Sequence, residues 1–171
     1  MRELLQLLDQ MKRAGLIVDY ALGGATALIH YFEPFQTVDV DVFVVLTDRP
    51  GTLVNLSPIY SFLESKGAIP RNEYVLIGGI PVQFLVPYNT LVEETVRAAK
   101  AVPFADQICR IPPLEYLMAI MVQTSRAKDK ARLEELGNFP QLFNRQVFDG
   151  LVTKFGLEEK WKKIKSEIAF P

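Results

Sequence analysis

The chain holds a single cysteine, a single histidine and a single tryptophan in 171 residues. One thiol, Cys109, closes no internal disulfide, which fits a reducing compartment. One imidazole, His30, excludes a histidine-rich metal centre. Charge of one sign is also lacking. Nineteen Lys and Arg stand against twenty Asp and Glu, for a formal net charge of −1. A domain that grips nucleic acid by its phosphates usually carries a basic surplus, although net charge averages over faces and leaves room for a local basic patch. No run approaches the roughly 18 apolar residues of a membrane span. The start, Met1-Arg2-Glu3-Leu4-Leu5 followed by Asp9 and Lys12, is too interrupted for a secretory leader. Internal repeats and low-complexity segments are absent. These absences lead us to expect a cytoplasmic protein with no membrane partner.

What is present is ordinary globular composition, 49% hydrophobic and 23% charged, enough to build a core. Leu4, Leu5, Leu7, Leu8 and Met11 recur at helical spacing, which predicts a helix from about Arg2 to Ala14, with Gly15 after it. Leu16 to Leu22 reads as a strand running into Gly23-Gly24. Ala25 to Phe32 reads as a short helix closed by Pro34. Val38 to Leu46 is rich in β-branched residues and reads as a strand. Asp48-Arg49-Pro50-Gly51 is a loop. Ser57-Pro58 reads as a helix start with Ser57 as N-cap, the helix running to Lys66 and Gly67 closing it. Glu73–Ile77 and Ile80–Val86 around Gly78-Gly79 read as a hairpin. Asn89 reads as the cap of a helix ending near Ala99, and a short strand is expected at Gln107–Arg110.

From Pro113 the pattern is helical. Leu114, Leu117, Met118, Met121 and Val122 share one face. Asp129–Leu136 follows as a second helix capped by Asp129 and stopped by Gly137, with further helices near Arg145–Phe155 and Leu157–Ile168. The expectation is an α/β (α+β) fold: a mixed sheet with flanking helices over residues 1–110, and a helical C-terminal extension over 111–171 packed on that core.

The chemistry concentrates between residues 22 and 42. On a strand Asp39 and Asp41 share one face, about 6.6 Å apart, while Val40, Val42 and Val44 turn to the core. Two such charges repel by about 2.5 kcal/mol at an effective dielectric near 20. A hard divalent cation reverses that sign and accepts one or two carboxylates plus substrate phosphates. The alternative is a solvated pair on an edge strand. Gly23-Gly24, between a strand and a helix, allows a tight bend and a close approach of backbone to ligand, or serves as a plain turn. Thr26 is either a phosphate-contacting hydroxyl or a first-turn polar residue.

Together, Gly23-Gly24, the helix Ala25–Phe32 and Asp39-Val40-Asp41 resemble the signature of the nucleotidyltransferase superfamily, the polymerase-β-like fold. The resemblance is to its minimal members, including abortive-infection toxin relatives, and covers about residues 16 to 90. A Thr two positions before the first Asp is frequent among them, and Thr37 matches. A looser match continues at Glu115 and Arg126-Ala127-Lys128-Asp129. The resemblance implies that Asp39 and Asp41 hold Mg²⁺ (or Mn²⁺) and act in catalysis, and that Gly23, Gly24, Thr26, Thr37, Arg126 and Lys128 contact a nucleoside triphosphate. Two positions depart from the pattern. The third carboxylate of such sites falls at Gln83, which is neutral, with Glu73 as the nearest other acid. A basic residue four positions before the first Asp is replaced by Phe35.

Other candidates have plainer readings beside them. Arg126 and Lys128 are either phosphate contacts or a solvated turn. His30 reads as a packing or surface residue, and Cys109, beside Arg110, as a buried structural thiol rather than a reactive one. Lys160-Trp161-Lys162-Lys163-Ile164-Lys165 reads as an amphipathic helix with Trp161 inward, or as a phosphate-backbone contact. Tyr20, Tyr31, Phe32, Phe35 and Phe43 read mostly as core. The functions open to the sequence are three. One is metal-dependent transfer of a nucleoside monophosphate to a hydroxyl on a protein, an RNA or a small molecule. Another is an impaired nucleotide-binding or toxin–antitoxin-like module. The last is a protein with a structural role, binding a protein partner or another copy of itself.

Overall fold

A computed structural model describes residues 1–32, 37–46, 55–104 and 106–171. Pro34, Phe35 and the Asp48–Gly51 loop lie outside the described residues. The chain divides into two units, Met1–Pro112 and Pro113–Pro171.

In the first unit the apolar stripe of helix α1 (Arg2–Arg13) is buried from Leu4 to Met11. Gly15 then takes a left-handed conformation, φ 69°, and turns the chain into strand β1 (Ile17–Leu22). Helix α2 (Gly24–Ile29) follows at once. It is shorter than the sequence suggests, because the N–H groups of Tyr31 and Phe32 both donate to the carbonyl of Leu28 and close a turn there. Strand β2 (Val40–Leu46) comes next, then helix α3 (Ser57–Ser65). Ser57 is the first helical residue rather than the cap. Its N–H donates to the side chain of Asn55 at 3.0 Å. Gly67, φ 87°, follows the helix.

Strands β3 (Ile69–Arg71), β4 (Tyr74–Ile77) and β5 (Ile80–Leu85) complete a five-stranded mixed sheet in the order β1-β2-β5-β4-β3. β2 and β5 run parallel, and the other neighbours are antiparallel. The short β3 was not anticipated, since all three of its residues are exposed and one is proline. β2 is therefore an interior strand, which overturns the edge-strand reading of the acid pair. Val40, Val42 and Val44 are buried on one face, as expected, and Phe43 is buried on the other. Interior position explains why β2 reads as an apolar run rather than a clean alternation.

Helix α4 (Thr90–Ala98) is capped by Asn89, whose Oδ1 accepts the N–H of Val92 at 3.0 Å. A separate hairpin of β6 (Lys100–Phe104) and β7 (Gln107–Ile111) closes the unit. The sequence pointed only to β7, because β6 carries a lysine and a proline and is mostly exposed. Arg110 of β7 donates to the carbonyl of Tyr20 at 3.1 Å and pairs with Asp19 at 3.1 Å, tying the hairpin to β1.

The second unit is helical: α5 (Leu114–Thr124), α6 (Ala127–Gly137), a 3₁₀ turn at Pro140–Leu142, α7 (Arg145–Lys154) and α8 (Glu158–Lys165). The predicted apolar face of α5 is buried throughout. Trp161 points inward and meets Phe148 and Phe170 edge-on, at 5.2 and 4.8 Å between ring centres. Gly137 ends α6 from within the helix. A Cβ there would lie 2.8 Å from the ring of Phe170, so glycine is needed for packing rather than as a stop. No helix among the described residues is long and apolar enough to cross a membrane.

Asp129 is not the cap of α6; that place belongs to Arg126. Asp129 sits in the first turn with its side chain 1% exposed. Its Oδ2 accepts from the Thr124 hydroxyl at 2.7 Å and from Arg126 Nε at 2.6 Å, and Oδ1 accepts from Arg126 Nη2 at 3.1 Å. Burial is the largest single influence and raises its pKa, but the bonds from Arg126 and Thr124 together outweigh it. The carboxyl therefore lies below its ordinary value of 3.8. A depressed pKa contributes stability that is present above the unfolded value and disappears as pH falls through the folded one. Asp129→Ala is expected to cost about 1–3 kcal/mol in urea unfolding at neutral pH. The cost should shrink on acidification below about pH 4, where the wild-type carboxylate is itself titrating.

Candidate functional site

β1 pairs with β2 up to Leu22↔Val42. The ladder continues one step beyond the strand, where the Gly23 N–H donates to the Asp41 carbonyl at 2.8 Å. Both glycines are then required, for different reasons. A Cβ on Gly23 would meet the Phe43 ring at 2.6 Å. Gly24 has φ 53°, and a Cβ on it would stand 2.1 Å from Asp41 Oδ2. The Asp41 carboxylate thus fills the space that a side chain at Gly24 would occupy. The turn is a close approach between backbone and carboxylate, and only glycine permits it.

Asp39 precedes β2 by one residue, so strand alternation alone does not place it beside Asp41. Two threonines fix it instead. The Thr37 hydroxyl lies 2.7 Å from Asp39 Oδ1 and 2.9 Å from its carbonyl oxygen, and the Thr26 hydroxyl lies 3.3 Å from that same carbonyl. Both hydroxyls are therefore engaged with Asp39 in this structure. The two aspartates, each half-buried, converge on Tyr74. Its phenol is raised above its ordinary value by partial burial first, then by the charges of Asp39, Glu73 and Asp41 and by a hydrogen bond to Asp39.

Strand register carries the site across the sheet. Asp41 of β2 lies beside Gln83 of β5. Val75 pairs with Val82, so the next pair outward is Tyr74 with Gln83. Arg71 of β3 pairs with Tyr74. One face therefore carries the row Asp41, Gln83, Tyr74, Arg71. Gln83 stands next to Asp41, the place where the resemblance implied an acid, and brings a neutral amide. Glu73 is off the row, exposed in the two-residue turn between β3 and β4. Tyr74 was missed in the sequence reading. The Gly78-Gly79 turn held the signal, because a two-residue turn fixes Ile77 opposite Ile80 and hence 74 opposite 83.

Arg126 and Lys128 belong to the second unit, where Arg126 forks onto Asp129 and Lys128 is exposed. Glu115 accepts the N–H of Asn144 at 2.7 Å. His30 is exposed and meets Tyr31 edge-on at 4.9 Å. Cys109 is buried, and burial pushes its thiol pKa up, the opposite of an activated thiolate. Tyr20 and Phe43 are core residues, while Tyr31 and Phe32 are only half-buried.

Among the described residues no group of three or more His, Cys, Asp or Glu side chains is arranged to hold a metal ion. What the site offers is two half-exposed carboxylates and, beside Asp41, one amide. These are hard oxygen donors, and they fit Mg²⁺ or Mn²⁺ when phosphates and water complete the shell. The set is short by one negative charge of a three-carboxylate centre.

Gly24→Ala is expected to lower stability by about 1–3 kcal/mol, from left-handed strain and the displaced carboxylate. Part of that loss should be recovered when Asp41→Gly is added, since the added methyl then has no carboxylate to displace. A double-mutant cycle in urea measures both.

No family model matches the chain, and no curated protein matches it. Solved structures do. An antigenic nucleotidyltransferase-like protein from Paracoccidioides brasiliensis is 14% identical, with a TM-score of 0.55, over 98% of this chain and 94% of that one. The antibiotic-resistance factor ANT(2'')-Ia is 11% identical with a TM-score of 0.47, over 97% of this chain and 89% of that one. ANT(2'')-Ia in complex with adenylyl-2''-tobramycin gives 12%, a TM-score of 0.46, and 98% and 96% coverage. The first of these, matched over nearly its whole length, shows that this chain has a nucleotidyltransferase-like fold.

Proposed function

We propose that the protein transfers a nucleoside monophosphate from a nucleoside triphosphate to a hydroxyl group, at a site built from Gly23, Gly24, Asp39 and Asp41. The observation that carries this reading is the junction of the Gly23-Gly24 turn with Asp41. A bare backbone turn and a carboxylate meet there on an interior strand, with a second carboxylate nearby. Such a junction brings backbone polar groups and a metal-binding oxygen together where a polyphosphate needs both.

In this reading Asp39 and Asp41 hold Mg²⁺ or Mn²⁺, which when bound would neutralise charge on the phosphates. Thr37 and Thr26 keep Asp39 in place. The Gly23-Gly24 backbone lies against the triphosphate. The acceptor oxygen bonds to the α-phosphorus as the bond from that phosphorus to the bridging oxygen breaks. Pyrophosphate leaves with the electron pair. Gln83 is not basic, so the hydroxyl proton passes to water. The chain's contribution is positioning and charge stabilisation.

Gln83 beside Asp41 favours a second reading, in which nucleotide binds and transfer is slow or lost. Both readings require the metal-dependent nucleotide site; turnover separates them. A thermal-shift panel with the four nucleoside triphosphates and Mg²⁺ or Mn²⁺ tests the shared part. Ligand at a hundredfold over its Kd adds about 2.7 kcal/mol, roughly 5–10 °C for a chain of this size. The rise should need the metal and vanish in Asp39→Asn/Asp41→Asn. A rise that persists in that variant, or no rise with any nucleotide, contradicts the assignment.

A further inference from the structure

The row Asp41, Gln83, Tyr74, Arg71 extends beyond the residues that the nucleotidyl-transfer reading uses. Its outer half is polar and accessible: Tyr74 is half-buried and Arg71, on the sheet's edge strand, is exposed. The next row on the same face, Pro81, Leu76 and Ile69, is apolar and is half-buried to exposed. Among the described residues no acidic side chain pairs with Arg71. In the same unit Arg2, Lys12, Arg97 and Arg110 each have a carboxylate partner, whereas Arg13, Lys66 and Lys100, like Arg71, have none among the described residues. What sets Arg71 apart is its register, at the edge-strand end of the row that begins at Asp41.

Reaction geometry supplies a reason for that position. In-line displacement at phosphorus puts the attacking and leaving oxygens on opposite sides. If the pyrophosphate lies over Gly23-Gly24, on the β1 side of Asp41, the acceptor enters from the β5 side, over Gln83 and toward β4 and β3. Neighbouring strands are about 4.8 Å apart, so Arg71 lies about 14 Å of sheet width from Asp41. An arginine side chain reaching back covers part of that span, which leaves room for a sugar-sized molecule between guanidinium and reacting phosphorus. We infer that Tyr74 and Arg71 form the acceptor subsite, and that the acceptor is a small sugar-type hydroxyl compound bearing one phosphate group, held by the Arg71 guanidinium. A planar guanidinium binds phosphate by paired hydrogen bonds. The near-neutral net charge and a single unpaired cation on the row favour one phosphate over a polynucleotide backbone. The inference rests on the nucleotidyl-transfer reading for its direction of approach.

Calorimetric titration tests it. Ribose 5-phosphate and ribose are each titrated into the full chain saturated with Mg²⁺ and a non-hydrolysable triphosphate analogue. The proteins compared are wild type, Arg71→Ala, Arg71→Lys and Tyr74→Phe. Wild type should bind ribose 5-phosphate at least tenfold more tightly than ribose. Arg71→Ala should remove that preference while leaving affinity for the analogue unchanged, and Arg71→Lys should restore part of it. No preference for the phosphorylated sugar, or a preference that survives Arg71→Ala, overturns the assignment. A phosphate preference that depends on Arg71, in a protein that binds no nucleotide analogue, would leave an anion site but overturn its role as an acceptor subsite and the transfer reading with it. Binding of the analogue without any binding of ribose 5-phosphate would sink this inference and leave the transfer reading standing.

Discussion

The contact between Asp41 and the Gly23-Gly24 turn is the constraint on which the site depends. Asp41 meets the turn twice, through its carbonyl, which accepts the Gly23 N–H, and through its carboxylate, which occupies the space over Gly24. The second contact leaves no room for a side chain at Gly24, and the Phe43 ring leaves none at Gly23. The β1–β2 ladder brings the two segments together, and the turn in turn fixes the carboxylate beside Gln83 on the neighbouring parallel strand. One register error in that pairing would send Asp41 to the opposite face, among Val40 and Val42.

Interior placement of β2 gives the site its electrostatic character. The valine face and Phe43 anchor the strand in apolar surroundings, and the aspartates emerge at its beginning, half out of water. Carboxylates in that position repel one another unless a cation or hydrogen-bond donors intervene. The structure provides a donor for Asp39 in the Thr37 hydroxyl. Gln83 beside Asp41 is neutral and cannot act as a base, so under the proposed transfer reading nucleotide binding and turnover are separable questions.

Much of the architecture was legible in the sequence because local signals were strong. The leucine stripe of α1, the Asn89 cap and the Gly78-Gly79 hairpin each carry a mechanism that acts within a few residues, and each appears where expected. The elements that escaped are those whose partners decide them. β3 and β6 are exposed, proline-bearing segments that become strands only by pairing with β4 and β7. Asp129 has the spacing of a cap, but Arg126 and Thr124 draw it into the buried interior. At the site, the juxtaposition of Asp41 and Gln83 could be read from the pattern, whereas Tyr74 and Arg71 required the register of two further strands. The hydrogen bonds of Thr26 and Thr37 to Asp39 were not legible in the sequence.

The most direct test of the central claim is paramagnetic broadening of backbone amide signals by Mn²⁺ in a two-dimensional NMR spectrum of the full chain. If the Gly23-Gly24 turn and the two aspartates form the metal site, substoichiometric Mn²⁺ should first erase the signals of Gly23, Gly24, Asp39, Asp41 and Gln83, and Mg²⁺ should compete it away. Broadening that begins instead at the acidic residues of α7 and α8, or that is unchanged by Asp39→Asn/Asp41→Asn, would contradict the account.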